Sequence, residues 1–344
     1  MGKPQVGAVT ETVYMRAAVY RRYGPPEVVS VEEVLTPTPG PNDLLIRVRA
    51  TTVSSADWRL RSLSMPRGFG LAGRLAFGIT TPRQRILGSE LAGDVVAIGA
   101  AVQNFAVGDA VIAFPGGRLG AHAEYCRIAA SGAVVPKPKH LPYQSAAALG
   151  FGGTTALDFF RRAELRVGEK LLINGASGAV GSAMLQVAVA AGAEVTAVCS
   201  GPNATLIQNL GAARVVDYTT TDFATEGICY DLIVDTVGNA PYRRVRPVLT
   251  RRGRLLLVLA SLPEMLRAPW VGLTTRHRLV AGPAAERVDD LRTIVTMAAA
   301  GRFTPLIDRC FPLDEIVAAH ARVDSGRKRG SVVVECGWLK PFNS

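Results

Sequence analysis

Residues 171–192, Leu-Leu-Ile-Asn-Gly-Ala-Ser-Gly-Ala-Val-Gly-Ser-Ala-Met-Leu-Gln-Val-Ala-Val-Ala-Ala-Gly, form the stretch that decides the fold. Its first three residues are apolar, which is typical of a buried parallel strand. Gly175, Gly178 and Gly181 then recur at three-residue spacing. The small and apolar residues that follow are typical of a helix packed flat on a sheet, and the closing glycine ends that helix. Residues 194–200 are the next predicted strand.

This glycine pattern suits the binding of a pyrophosphate. The first glycine permits a tight turn, the second lets the backbone approach the phosphates, and the third lets helix and strand pack closely. The N–H groups at the helix start, aided by the helix dipole, hold the anion. A glycine triplet alone also fits an ordinary strand-to-helix turn, but here a strand precedes it and a helix and a second strand follow. The segment therefore predicts a Rossmann dinucleotide-binding unit.

The end of the second strand bears on which nicotinamide cofactor binds. NAD sites normally place an Asp or Glu there, about 20 residues after the start of the motif. This strand ends Val-Cys-Ser-Gly-Pro-Asn, and no carboxylate occurs between Glu194 and Asp217. Ser200 and Asn203 offer neutral hydrogen bonds, and nothing in this stretch repels a 2′-phosphate, which favours NADPH. The same two residues also fit a strand-end hydroxyl and a helix N-cap.

Composition limits the class of protein. A chain of 344 residues is long enough for two domains, and with 48% hydrophobic residues and 35 glycines it predicts a large core with many turns. No apolar run reaches the roughly 18 residues that cross a bilayer, and the N-terminus lacks the pattern of a signal peptide. The five cysteines are scattered, which favours reduced thiols and a cytoplasmic location over a disulfide framework or a zinc site.

The formal net charge of +11 raises the question of nucleic acid. Arginines cluster within residues 243–254, and a second basic group occupies residues 327–329. No nucleic-acid motif or interleaved aromatic set accompanies them. We therefore prefer a solvated basic surface that attracts an anionic cofactor, and do not expect nucleic acid as a partner. A non-catalytic protein that binds NADPH or RNA is the alternative from another class.

The order of segments predicts an α/β fold in which a doubly wound parallel sheet accompanies a mostly-β domain. We expect residues 1–14 to form a flexible N-terminal extension. Residues 15–137 are glycine-punctuated and β-rich, and within them residues 62–86 have no regular pattern. Residues 138–302 alternate helices and strands, which indicates the Rossmann domain. Residues 303–344 are expected to return to the β domain.

This organisation resembles the medium-chain dehydrogenase/reductase superfamily, and more narrowly its zinc-independent quinone oxidoreductase and enoyl reductase branch. The resemblance spans residues 15–337 and implies a GroES-like catalytic domain beside the Rossmann domain, and a homodimer. The segments that carry it are Gly24-Pro25-Pro26, Gly88-Ser89-Glu90-Leu91-Ala92-Gly93, Val107-Gly108-Asp109, Gly120-Ala121-His122-Ala123-Glu124-Tyr125, Gly175 to Gly181, Leu210-Gly211-Ala212, Val216-Asp217-Tyr218 and Arg327 to Val334.

The zinc ligands of the alcohol dehydrogenases in this superfamily have no counterparts here. Ser54 stands where a Cys-x-x-Asp segment supplies a cysteine, and Ser89 stands where Gly-His-Glu supplies a histidine. Serine is a poor partner for zinc, which prefers thiolate and imidazole. The cysteine-rich structural zinc lobe is also missing. A zinc-type alcohol dehydrogenase is therefore disfavoured, and no metal site is expected.

A zinc-free site of this family suits hydride transfer from NADPH to the conjugated double bond of a quinone or an α,β-unsaturated carbonyl, including the substrate of a biosynthetic enoyl reductase. The substrate is then a small molecule, and solvent protonates its α-carbon. The resemblance implies Ser54 and Thr155 as catalytic residues. It implies as cofactor-binding residues Thr155, Gly178, Ala179, Val180, Gly181, Ser200, Asn203, Tyr218, Val237, Leu259 and Ser331.

Several residues also have a structural interpretation. Tyr218 fits a packed strand aromatic as well as a cofactor ligand. Asp57 and Glu90 match family positions, but without zinc they fit structural ion pairs. Trp58 fits either the pocket or the core, and His122 is expected on a surface-facing strand.

Overall fold

The computed structural model describes residues 13–337. The predicted extension, residues 1–14, lies outside them except for its last two residues, and the first strand already begins at Tyr14. The elements of the first part are β1 (Tyr14–Tyr20), β2 (Val29–Leu35), β3 (Asp43–Val53), α1 (Ser55–Ser62), α2 (Gly70–Phe77), β4 (Leu91–Ile98), β5 (Ala110–Ala113), β6 (Tyr125–Ala129) and β7 (Val134–Pro136).

The later elements alternate helices and strands before the chain ends in two strands and a helix. They are α3 (Tyr143–Ala147), α4 (Gly150–Ala163), β8 (Lys170–Asn174), α5 (Ala179–Ala190), β9 (Glu194–Cys199), α6 (Ala204–Asn209), β10 (Arg214–Asp217), β11 (Tyr230–Asp235), α7 (Tyr242–Val245), β12 (Leu249–Leu257), α8 (Leu262–Thr274), β13 (Arg278–Ala281), α9 (Val288–Ala299), β14 (Ile307–Pro312), α10 (Ile316–Asp324) and β15 (Ser331–Glu335).

The six strands β8 to β13 form one parallel sheet in the order β10-β9-β8-β11-β12-β13. This is the strand order of a doubly wound dinucleotide-binding fold, in which ligands bind at the carboxyl ends of the strands on either side of the first one. Leu171, Leu172 and Ile173 of β8 are fully buried, as their apolar run predicts. The predicted Rossmann sheet is thereby confirmed.

The second large sheet is mostly antiparallel and has the order β14-β15-β3-β4-β5-β7, with β6 also paired to β3. The hairpin of β1 and β2 joins it through isolated bridges at Ala17–Ala123 and Val19–Ile86. Strand β15 pairs antiparallel with β3, so the end of the described chain lies in the sheet of its N-terminal part. The mixed α/β fold class is confirmed, while domain boundaries at residues 137 and 303 stay a prediction.

The structure corrects two details of the sequence analysis. Residues 62–86 are not wholly irregular, because α2 lies within them; its glycine content and exposed apolar face hide the helical pattern. Strand β14 was not predicted, since Asp308 and Arg309 interrupt any apolar run and Pro312 ends it.

Two further expectations concern the cysteines and the membrane. All five cysteines have free thiols. Among residues 13–337, no helix combines the length and the apolar composition needed to span a membrane.

Candidate active site

The glycine turn after β8 has the geometry that its spacing predicts. Gly175 has φ +85°, where a side chain is strained, and a Cβ there would lie 2.5 Å from the Thr236 hydroxyl. A Cβ on Gly181 would lie 2.1 Å from the Gly175 carbonyl oxygen, so the close approach of α5 requires glycine. Gly178 differs, because its only neighbour would be that same oxygen at 3.5 Å. The backbone is therefore open to a ligand at Gly178.

The C-terminal part of the chain lies against this turn. Gly178 and Gly330 form an isolated parallel bridge, and the Gly330 N–H donates to the Ser177 carbonyl (2.8 Å). This pairing places Lys328 and Ser331 beside the turn, across a cavity of about 80 Å³. Its lining residues are Thr52, Val53, Ser54, Ser55, Glu90, Phe151, Gly178, Ala179, Val180, Gly181, Thr236, Lys328 and Ser331.

Ser54 lies in this cavity wall and caps α1. Its Oγ accepts from the N–H groups of Ala56 and Asp57 (both 3.2 Å) and donates to Asp57 Oδ2 (2.6 Å). A hydroxyl has one proton to donate. In this arrangement the Ser54 hydroxyl therefore polarises a substrate only by exchanging its bond to Asp57 for one to the substrate.

Asp57 and Glu90 hold the backbone in place rather than forming the ion pairs expected from the sequence. Asp57 also accepts from the N–H groups of Ser54 (2.7 Å) and Gly88 (2.9 Å). Glu90 accepts from the Thr52 hydroxyl and the Phe151 N–H. Burial raises the pKa of Glu90 to about 7, although these hydrogen bonds oppose the shift. Both carboxylates thereby fix the two walls of the cavity.

Lys328 is a candidate that the sequence analysis did not single out. Its Nζ donates to the Gly330 carbonyl (2.6 Å), and desolvation lowers the pKa of its ammonium to about 8. The available signal was its place two residues before Gly330, but its neighbours in the basic run 327–329 suggested a solvated surface. Here it brings a positive charge to the glycine turn.

His122 is not on the surface. Its ring is fully buried, and Nε2 lies 2.9 Å from the Thr52 carbonyl oxygen. The ring packs edge-on against His320, with centroids 5.7 Å apart. The residue lies just before β6, where the sheet meets α10, and no surface-facing strand includes it. Trp58 is half-buried and packs against the core of the β domain.

The residues predicted to surround a 2′-phosphate lie together after β9 and β10. Asn203 occupies the N-cap position of α6, as predicted, but its side chain accepts no capping hydrogen bond there, and its Nδ2 donates to Ser200 Oγ (3.1 Å). Tyr218 is 63% exposed, so it is not a packed strand aromatic. Pairing of the two strands also brings in Asp217, whose Oδ2 would lie 2.6 Å from a Cβ on Gly201. The expectation that nothing here repels a phosphate is therefore wrong: strand pairing supplies a carboxylate that is distant in sequence.

Three further predicted residues also lie outside the cavity at the turn. Thr155 is 8% exposed, and its hydroxyl donates to the Phe151 carbonyl one turn earlier in α4 (2.7 Å). Val237 and Leu259 follow β11 and β12 and line a second cavity of about 760 Å³. The structure thus brings Ser54, Gly178 to Gly181 and Ser331 together. The other candidates follow strands of the parallel sheet, except for Thr155, which lies within α4.

Comparison with known families covers most of the chain. Residues 40–154 match the family described as "Alcohol dehydrogenase GroES-like domain", and residues 210–334 match the family described as "Zinc-binding dehydrogenase". The first of these ranges contains Ser54 and Glu90, and the second contains Lys328 and Ser331.

Relatives that match over most of the chain are named as oxidoreductases. The chloroplastic quinone oxidoreductase QR1 of Triphysaria versicolor is 30% identical, over 93% of this chain and 98% of that protein. The mitochondrial NAD(P)H oxidoreductase RTN4IP1 of Mus musculus is also 30% identical, over 93% of this chain and 89% of its own. The names of these relatives place them in organelles, so a cytoplasmic location of this chain stays a prediction.

A solved structure, the quinone oxidoreductase from Coxiella burnetii, aligns with a TM-score of 0.84 at 26% identity and covers 94% of this chain and 100% of its own. Fold, family matches and relatives agree with the resemblance drawn from the sequence. The chain belongs to the medium-chain dehydrogenase/reductase superfamily, in its quinone oxidoreductase-like branch, and is an oxidoreductase.

Proposed function

We propose that this oxidoreductase is an NADPH-dependent, zinc-independent reductase that transfers hydride to the conjugated double bond of a quinone or an α,β-unsaturated carbonyl. One observation carries the proposal. The open glycine of a dinucleotide-binding turn, Gly178, shares a cavity with Ser54 and Lys328, and the wall of that cavity has serine where zinc would need a cysteine. The names of relatives as quinone and NAD(P)H oxidoreductases support it.

The residues at the turn fit a nicotinamide dinucleotide. The N-terminus of α5 supplies N–H groups and a positive dipole end next to Gly178. The Lys328 ammonium adds a cation on the opposite wall, so we propose that it binds the pyrophosphate together with the turn. Val237 and Leu259 extend the proposed cofactor site along the sheet edge, and we propose that Ser331 at the turn and Thr155 of α4 also contact the cofactor.

The preference for NADPH over NADH rests on the loop after β9. Ser200, Asn203 and the exposed Tyr218 offer neutral donors to a 2′-phosphate. Asp217 acts against it, but its Oδ1 accepts from the Thr219 N–H (2.9 Å) and hydroxyl (2.7 Å), and a hydrogen bond from the Gly201 backbone contributes to its lowered pKa. The Asp217 carboxylate therefore stabilises the loop through these hydrogen bonds. We propose that the three neutral donors bind the phosphate.

The donor chemistry does not fit catalytic zinc. Ser54 Oγ has its hydrogen bonds within α1, and Ser89 offers a buried hydroxyl without a hydrogen-bond partner. Within residues 13–337, no group of three or more His, Cys, Asp or Glu side chains is arranged to hold a metal ion. We therefore derive no step through a metal.

A bound nicotinamide would supply the hydride, while the residues of the chain bind and orient the cofactor and the substrate. The glycine turn and Lys328 fix the phosphates, which sets the position of the ring. Val237 and Leu259 would offer the ring an apolar surface at the sheet edge. Charge that develops on the substrate's carbonyl oxygen needs a nearby donor, and Ser54 is placed to provide one by exchanging its bond to Asp57. Solvent then protonates the α-carbon.

The test is oxidation of NADPH by chelator-treated protein, with 2-methyl-1,4-naphthoquinone, 2-hexenal and 2-cyclohexenone as substrates and NADH in parallel. We expect turnover with NADPH that added zinc does not raise. Dependence on added zinc, or alcohol oxidation in preference to reduction of these substrates, would support a zinc-type dehydrogenase instead. Tight NADPH binding without turnover, together with salt-sensitive RNA binding, would support the non-catalytic alternative.

We also propose a homodimer. Strand β13 ends the parallel sheet, with no further described strand paired on its outer side. The neighbouring α8 exposes three large apolar side chains, Leu266, Trp270 and Leu273. An open sheet edge beside an exposed apolar helix face is typical of a surface that pairs with a second copy.

A further inference from the structure

The largest cavity described at the sheet edge has an unusual concentration of positive charge. It occupies about 760 Å³ beyond the carboxyl ends of β11 and β12, between the loop after α1 and the start of α8. Four of its lining residues are arginines: Arg59, Arg67, Arg243 and Arg267. They come from three separate segments of the chain. Tertiary structure therefore brings them together, since they do not belong to one basic run of the sequence.

The four arginines share one cavity without an acidic partner. Elsewhere Arg61 pairs with Asp324, and Arg254 pairs with Glu169. Within residues 13–337, no carboxylate forms a salt bridge with any of the four cavity arginines. The cavity therefore carries a positive charge that the described protein does not neutralise.

Arg59 shows this most clearly. Its side chain is half-buried, its guanidinium lies 5.0 Å from the centre of the Trp58 ring, and its Nε is buried without a hydrogen-bond partner. Within residues 13–337 its side chain donates one hydrogen bond, from Nη1 to the Ser64 carbonyl (3.0 Å). Partial burial lowers the pKa of Arg59 through desolvation. A buried donor without an acceptor is costly, and an anionic ligand would remove that cost.

The single acidic residue of the cavity wall does not supply the compensation. Glu264 Oε2 accepts from the Ser261 N–H (2.9 Å) and hydroxyl (2.7 Å), forming the capping box that begins α8. Its negative charge thereby compensates the positive end of the α8 dipole.

The cofactor's 2′-phosphate is not the anion in question. Ser200 follows β9, whereas the cavity lies beyond β11 and β12. Strand β9 is three strands from β12, about 14 Å at the usual spacing of about 4.8 Å. The arginines thus lie on the other side of the first strand from the proposed site of the 2′-phosphate.

An apolar chamber adjoins the arginine cavity and shares Pro66 and Leu259 with it. The chamber occupies about 350 Å³ between α2 and the start of α8, and Met65, Phe69 and Met265 are among its lining residues. A ligand that fills both spaces has an apolar body and an anionic group, with Leu259 at their junction.

We propose that the substrate of this enzyme carries an acidic group, a carboxylate, sulfonate or phosphate ester, which Arg59, Arg67, Arg243 and Arg267 bind while its apolar body occupies the adjoining chamber. The inference rests on the proposed reductase function and names the class of quinone or enone that the enzyme selects: an amphipathic organic anion. Arginine suits this task because its planar fork binds such oxyanions through paired hydrogen bonds.

The first test is binding without chemistry. Calorimetry would compare naphthalene-2-sulfonate with its neutral counterpart naphthalene-2-sulfonamide, and would include 2-naphthoate and 2-naphthyl phosphate to distinguish the acidic groups. We expect the anions to bind more tightly than the sulfonamide, and Arg59→Gln or Arg267→Gln to weaken only the anions, by roughly ten- to fifty-fold each. Arg251→Gln, which removes an exposed charge of β12 outside the cavity, is the control and should bind like the wild type.

The second test is selectivity in turnover. We expect Arg59→Gln to lower the ratio of kcat/KM for 1,4-naphthoquinone-2-sulfonate to that for 2-methyl-1,4-naphthoquinone at least tenfold, and added salt to lower it in the wild type. Equal binding of sulfonate and sulfonamide, equal losses on both quinones, or a matching loss of NADPH affinity would overturn the proposal. Failure of the reductase function differs from all three: neither quinone turns over, while calorimetry still reports on anion binding.

Discussion

The replacement Gly178→Ala should leave the fold intact and weaken the binding of NADPH. Gly178 has φ −78° and ψ 171°, a conformation that alanine adopts readily, and the added Cβ would meet only the Gly175 oxygen at 3.5 Å. Such a glycine-to-alanine change stabilises a protein by about 0.4–1 kcal/mol, because it restricts the unfolded chain. The methyl group would, however, project into the cavity where the pyrophosphate must approach the backbone.

The expected loss follows from the bonds that the methyl group prevents. A hydrogen bond between a backbone N–H and a charged phosphate contributes about 1.5–3 kcal/mol, so the loss of one raises the Kd for NADPH roughly ten- to 150-fold. Gly181→Ala should behave in the opposite way. Its Cβ would lie 2.1 Å from the Gly175 oxygen, which forces α5 away from the turn and costs about 1–3 kcal/mol or more.

Thermal unfolding without cofactor and fluorescence titration with NADPH would measure the two effects separately. Gly272→Ala, in α8 with nothing within 4 Å of the added Cβ, is the matched control and should leave NADPH binding unchanged. If Gly178→Ala bound NADPH as tightly as the wild type, the phosphates would not lie on this turn. If Gly181→Ala unfolded at the wild-type temperature, the turn would not have the geometry described.

Three further predictions concern cofactor choice, pH and assembly. Ser200→Asp should lower the ratio of NADPH to NADH affinity roughly ten- to a hundredfold by like-charge repulsion, and Asp217→Asn should raise it; competitive titration with both cofactors would decide. Lys328 loses its proton as the pH rises through about 8, so NADPH affinity should fall above that pH in the wild type but not in Lys328→Met, as measured by titration between pH 6 and about 9.5. Leu273→Glu should give a 36.4 kDa monomer by light scattering where the wild type gives a dimer, and an unchanged dimer would contradict pairing through α8.

The sequence predicted those features of the fold that depend on residues close together in the chain. The glycine turn, the helix after it and the alternation of strands and helices follow from local patterns, because a tight turn and a buried strand each restrict the residues that form them. Strand β13 and strand β15 have the predicted bounds. Helix α2 was not predicted because its apolar side chains, Leu71 and Leu75 among them, face solvent. Its sequence therefore lacks the pattern of one apolar buried face and one polar exposed face.

The parts of the site that the sequence did not predict arise where distant segments meet. Asp217 reaches the loop after β9 only because β9 and β10 pair. Lys328 belongs to the cavity only because Gly330 bridges to Gly178. Arg59 and Arg267 are separated by about two hundred residues and share one cavity wall. Charged residues in exposed-looking sequence carry no periodic signal, so their roles follow from tertiary contacts alone.

The environment of Ser54 connects the fold to the kind of reaction proposed. In place of a metal ligand, the chain has a serine whose Oγ makes three hydrogen bonds at the start of α1, and Asp57 in turn holds the Gly88 N–H. These hydrogen bonds fix this wall of the cavity, and the wall offers a substrate one exchangeable hydroxyl proton. Such a weak polarising group suffices only when the substrate supplies its own electron sink. A carbonyl conjugated with the accepting carbon does so, and this requirement is why we assign quinones and enones to the site in preference to unactivated alcohols.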